Sequence, residues 1–189
     1  MKIVRLYKGN GTGSGATEGG INVSQTVEEL IRIVRDGSED SGIRYDAALT
    51  LGELGAKSEL VEALKMPVSC EEGSFALSGV IKALEKIGKD ALPELRKVLE
   101  DKDVKNEEAR FYVVSILESI GLPAESLLIE ALKDPNHDVR EHAIGAFEII
   151  KSKKAIPALE EILKNDKELL LRKFARRALS KINGTLLDT

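Results

Sequence analysis

From Val139 to Ile150 the apolar positions Val139, Ala143, Ile144, Phe147 and Ile150 recur at steps of one, three and four. That spacing covers one face of a helix of period 3.6 and fits no strand. In front of it stands Asp134-Pro135-Asn136, where Pro135 stops the preceding helix and Asn136 can cap the next one. A second apolar run follows a short break, at Ala155, Ile156, Leu159, Ile162 and Leu163. Pro157 lies in its first turn, where a missing N–H does little harm. The predicted unit is therefore helix, tight turn, helix, turn.

The rest of the chain repeats this unit. Ser24 opens a helix with Val27, Leu30, Ile31 and Val34 on one face, ended by Asp36-Gly37. Helices are predicted at Gly42–Gly55, Lys57–Lys65, through Val80–Ile87, at Asp90–Glu100, Glu107–Ile120, Pro123–Lys133 and Lys167–Ile182. Aligning the ends of the first helices puts Gly55, Gly88, Gly121, Lys151 and Asn183 in one column, at spacings of 33, 33, 30 and 32. Four residues earlier stand Leu51, Leu84, Leu117, Phe147 and Leu179; eight earlier, Ala47, Val80, Val113, Ala143 and Ala175. One earlier stand Leu54, Ile87, Ile120, Ile150 and Ile182. A period of this size means a solenoid, because each helix pair buries its apolar face only against its neighbours. The predicted fold is all-α, a superhelix of about five short helix-pair repeats.

Ankyrin repeats would need Thr-Pro-Leu-His and tetratricopeptide repeats their Trp/Leu-Gly and Tyr positions; both signatures are absent. The pattern Asp, then Val-Arg-x-x-Ala-x-x-x-Leu-x-x-Ile/Leu-Gly, with a second helix ending Leu-Lys-Asp, resembles the short HEAT-like repeats of the phycobilin-lyase (PBS lyase) type. It is carried best by Asp134, Val139-Arg140, Ala143, Phe147 and Ile150, and by Ile43-Arg44, Ala47, Leu51 and Leu54-Gly55. The likeness runs from about Thr26 to Asn183. It implies a right-handed superhelix of paired helices used mainly for contact with other proteins. Its name implies one alternative, a subunit of a bilin lyase or isomerase.

Eleven positions before the glycine column stand Arg44, Arg110, Arg140 and Arg172, with Leu77 breaking the series. An arginine fork can hold a carboxylate and turn carbonyls together. Each arginine is expected to pair with an acid of the turn before its helix: Asp36, Asp101 or Asp103, Asp134, and Asp166. This reads as a staple of the repeat rather than an anion-binding ladder. Leu77, Gly79 and the long break before them mark the second repeat as irregular, with a possible bend.

Composition narrows the functional classes. The chain of 189 residues carries a net charge of −4, so no global attraction to nucleic acid or anionic membrane is expected. No run approaches the roughly 18 apolar residues of a membrane span. The single Cys70 fits a reducing compartment, and a cytoplasmic location is expected. Residues 1–23 form a Gly-rich segment read as flexible, 24–183 the solenoid and 184–189 a tail. Gly9–Gly20 lacks the Gly-Lys-Ser/Thr ending of a phosphate loop. His137 and His142, five apart on a helix, point about 140° away from each other, which is wrong for one metal. No cofactor, metal or catalytic set is expected. The last helix is basic, with Lys167, Arg172, Lys173, Arg176, Arg177 and Lys181 against Glu168 alone. It reads as a solvated cap, with weak binding of nucleic acid or an acidic partner as the alternative.

The expected function is a non-catalytic, protein-binding scaffold. The resemblance places the second helices on the concave face. There Leu127 and Ile129 occupy columns that hold Glu, Ala, Val or charged residues in the other repeats, with Glu94, Arg96, Lys97 and Glu130 around them. They are either an apolar contact patch with a charged rim or part of the core.

Overall fold

A computed structural model describes residues 23–66, 71–103 and 107–184. All regular structure among these residues is helical. The helices are α1 (Val23–Arg35), α2 (Ser41–Glu53), α3 (Lys57–Ala63), α4 (Glu71–Ile87), α5 (Leu92–Glu100), α6 (Glu107–Ile120), α7 (Glu125–Ala131), α8 (His137–Ile150), α9 (Ile156–Asn165) and α10 (Leu169–Asn183). The Gly-rich segment, Cys70 and the tail after Gly184 lie outside the described residues, as does the break at 67–70.

Local chemistry starts and stops these helices. Asp40 caps α2 by accepting the N–H groups of Gly42 and Ile43, and Asn136 caps α8 by accepting those of Asp138 and Val139. Pro93 and Pro157 sit in the first turns of α5 and α9. The first helices end on a residue in the left-handed region: Gly55, Gly88, Gly121, Lys151 and Gly184. The fifth is Gly184, not Asn183, because α10 runs one residue longer before it turns.

The first helices pack side by side, α2 on α4, α4 on α6, α6 on α8 and α8 on α10. Behind them α3 packs on α5 and α5 on α7, while α9 packs on α10. The chain is thus an α–α solenoid of two layers, four helix pairs flanked by α1 and α10. The core lies between the layers. Leu51, Leu84, Leu117 and Phe147 are sealed there, with Ala47, Val80, Val113, Ala143 and Ala175 beside them. Leu60, Leu95, Leu128 and Leu159 close it from the second helices.

The irregular second repeat has a steric cause. A Cβ on Gly79 would stand 2.9 Å from the Tyr45 carbonyl oxygen, and one on Gly52 would stand 2.8 Å from the Ala83 Cβ. Both glycines let α2 and α4 approach backbone to backbone. Leu77 takes the arginine's place and is buried.

Two arginines of the series, Arg110 and Arg140, bond turn aspartates, but in a different register from that expected. Each turn aspartate spends Oδ1 on the N–H two residues ahead: Asp134 on Asn136 at 3.0 Å and Asp166 on Glu168 at 2.9 Å. Its Oδ2 then meets the arginine of the preceding repeat. Arg110 Nε donates to Asp134 at 3.0 Å, and Arg140 Nε donates to Asp166 at 2.9 Å. Arg140 does not hold the Asp134 carboxylate; its Nη1 donates to the Asp134 and Pro135 carbonyls instead, at 2.9 and 3.1 Å. Arg110 likewise donates to the carbonyls of Asp101 and Asp103. Each of these two arginines therefore ties the turn before its own helix to the turn before the first helix of the next repeat. The buried Asp134 also accepts from Lys102 at 2.9 Å. Burial acts to raise the Asp166 carboxyl, but the hydrogen bonds from Arg140 and the Glu168 N–H outweigh it and hold the group below its ordinary value. Arg44 and Arg172 make the main-chain half of the contact, to the Val34 carbonyl at 3.0 Å and the Asp166 carbonyl at 2.7 Å.

Candidate functional site

On the second-helix face, the six residues singled out from the sequence do not form an apolar centre with a rim. Leu127 is core, with 2% of its surface exposed, and Ile129 is half-buried against that core. The reason is helix phase. Ala124, Leu127, Leu128, Ala131 and Leu132 make one continuous buried stripe of α7 and its lead-in turn. The charges around them are paired on the surface: Arg96 with Glu130 at 2.7 Å and Lys97 with Glu94 at 2.5 Å. Pairs of this kind contribute little to stability and leave little net charge for a partner.

The opposite layer is built differently. Six Phe and Tyr residues are described, and only Phe147 is core. Tyr45, Phe75, Phe111, Tyr112 and Phe174 all stand exposed or half-buried on first helices. Burying an aromatic ring is among the largest single contributions to a small core, so rings left outside it stand out. Tyr45 and Phe75 stack at 5.0 Å. Phe111 contacts the His142 ring at 4.7 Å and meets Tyr112 edge-on at 6.0 Å.

Around Phe111 the first helices form a groove of about 650 Å³. Glu107, Glu108, Phe111 and Tyr112 line it from α6; Asp138, Glu141, His142, Gly145 and Glu148 from α8; and Phe174 and Arg177 from α10. Gly145 gives it depth. The matching column holds Leu49, Lys82, Ser115 and Arg177 in other repeats, whereas a Cβ on Gly145 would meet nothing within 4 Å. No left-handed backbone requires a glycine there.

The lining is acidic and only partly compensated. Glu148 is almost wholly buried and holds Arg177 Nε at 2.6 Å and Lys181 Nζ at 2.5 Å. Glu107 accepts from the Asn136 amide at 2.9 Å. His142 Nε2 lies 3.2 Å from Glu118, which stands beside the groove. Asp138 lies 3.2 Å from the exposed His137. Glu108 and Glu141 have no ion-pair partner among the described residues. Burial, followed by the nearby charge of Glu108, pushes the Tyr112 hydroxyl above its usual range. At the far end the Arg177 guanidinium lies over the Phe174 ring, 5.0 Å from its centre. The arrangement can hold a cation between aromatic faces and carboxylates. Sequence reasoning missed this site because it searched the second helices. The usable signal was the off-column position of Phe111, Tyr112 and Phe174, together with a glycine inside α8 where no turn is needed.

Among the described residues, no three His, Cys, Asp or Glu side chains are placed to hold a metal ion, and no helix is long and apolar enough to cross a membrane. Residues 105–180 match the family of HEAT repeats, a span that contains α6, α8 and most of α10. This stretch is therefore HEAT-like in sequence as well as in architecture. No curated protein matches the chain significantly.

Proposed function

We propose that this protein is a protein-binding scaffold whose contact surface is the groove across α6, α8 and α10. The observation that carries the reading is the placement of the aromatic residues. Of the described aromatic residues the core holds Phe147 alone, while Phe111, Tyr112 and Phe174 frame a cleft that Gly145 keeps open. Rigid aromatic side chains in a cleft are the usual anchors of protein recognition, because they bury much area at small entropic cost. The HEAT repeat match supports the same class, since such repeats commonly serve as scaffolds for other proteins. The groove takes the place of the second-helix face as the candidate surface.

The likeness to phycobilin-lyase repeats supports a bilin-handling subunit less well. A linear bilin carries two propionates, and this groove would set Glu108, Asp138 and Glu141 against them. Nucleic-acid binding through α10 is also less well supported, because Arg177 and Lys181 are both turned onto the carboxylate of Glu148.

Gly145→Leu tests the scaffold reading. The new side chain enters open space and replaces a helix-interior glycine, so the fold should tolerate it. Proteins captured from the source cell by the unaltered chain should be absent from captures with Gly145→Leu. Recovery of the same set by both would overturn the groove as the contact surface.

A further inference from the structure

We infer that the groove recognises an arginine-bearing segment of its partner protein, held between the Phe111 ring and the carboxylates of Glu108 and Glu141. This rests on the reading of the groove as a protein-contact surface and names the chemistry of its occupant. Three observations carry it. The first is charge: five carboxylates line the groove against one guanidinium, and that guanidinium is already taken by Glu148. An incoming anion would meet uncompensated negative charge; an incoming cation would find it.

The second is that the groove already binds one arginine, its own. Arg177 lies over Phe174, 5.0 Å from the ring centre, and donates from Nε to the nearly buried Glu148 at 2.6 Å. This contact shows what an aromatic face flanked by an acid accepts at this surface.

The third is that the same pair of groups, a partly exposed ring and carboxylates with no ion-pair partner among the described residues, recurs a short way along the groove. Phe111 is 38% exposed. Glu108 stands one turn before it on α6, and Glu141 precedes His142, whose ring rests against Phe111 at 4.7 Å. Arginine suits such a seat better than lysine. Its planar fork stacks on a ring while its N–H groups reach carboxylates, and it sheds water more readily than an ammonium.

The test uses fluorescent peptides of one length in which Gly alternates with Arg, Lys, Glu or Leu, titrated with the whole chain at about 0.15 M salt. The Arg peptide should bind best and the Lys peptide more weakly. Glu108→Lys with Glu141→Lys should weaken the Arg peptide by about tenfold or more. Glu160→Lys with Glu161→Lys on exposed α9 makes the same change in net charge and should leave binding within about twofold. Gly145→Leu, which keeps every charge, should also abolish binding. Equal weakening by both charge-reversed pairs, or no binding of the Arg peptide, would overturn the inference. Tighter binding of the Glu or Leu peptide, abolished by Gly145→Leu, would overturn the inference and leave the scaffold reading standing. If Gly145→Leu changes neither peptide binding nor the captured proteins, both fall.

Discussion

Replacing Arg140 by Leu isolates one rung of the inter-repeat staple. In the folded protein its guanidinium meets Asp166 through two bonds, Nε to Oδ2 at 2.9 Å and Nη2 to Oδ1 at 3.2 Å. It also satisfies the carbonyls of Asp134 and Pro135. The two charged side chains are 9% and 7% exposed. Breaking a buried, hydrogen-bonded pair costs about 3–5 kcal/mol, because one charge is left without its partner. Asp166 keeps the Glu168 N–H and lies at the edge of the core, which favours the lower end, about 3 kcal/mol. An exposed pair would cost at most about 1 kcal/mol. Urea unfolding followed by circular dichroism measures the loss. A double-mutant cycle then assigns it. Arg140→Leu should couple to Asp166→Asn by about 2 kcal/mol, and to Asp134→Asn by less than about 0.5 kcal/mol. A total loss below about 0.5 kcal/mol, or coupling to Asp134 in place of Asp166, would refute the observed register.

Three further outcomes are expected. The lowered carboxyl of Asp166 makes a stabilising contribution that is complete above the ordinary aspartate value of 3.8 and is lost as pH falls through the lowered folded value. Wild type should thus exceed Asp166→Asn in urea midpoint at neutral pH and converge with it in acid; a pH-independent gap would contradict this. Lys151 adopts φ 54° at the end of α8, where four other first helices have glycine. Lys151→Gly should therefore raise stability by about 0.5–1 kcal/mol in thermal melting, and a fall would count against the strain. Leu127→Glu should cost more than about 3 kcal/mol and Ile129→Glu about 1 kcal/mol or less, since only the first is sealed in the core. Equal costs in urea unfolding would remove the distinction.

Fold and repeat were legible because they are written locally. The columns of Leu51, Leu84, Leu117 and Phe147, and of Ala47, Val80, Val113, Ala143 and Ala175, depend only on which face of each helix is apolar. Gly55, Gly88 and Gly121 stand where the helices reverse, and the structure finds them there with positive φ. The arginine column was visible too, and so was its use of turn carbonyls.

The partners of those arginines were decided by packing. Arg140 and Asp166 are 26 residues apart, and they meet because Asp166 turns one oxygen onto its own loop and the other back toward the preceding repeat. The burial of Leu127 depended on how a short lead-in turn rotates α7, which no column comparison could fix. The groove is the clearest case. Phe111, Gly145 and Phe174 are ordinary residues on separate helices, and each is outside the core pattern. Only the stacking of α6, α8 and α10 brings them to one cleft with its carboxylates. A periodic sequence determines the inward face of each helix through the hydrophobic effect. What the outward faces make together depends on the spacing between helices, and that is a property of the folded stack.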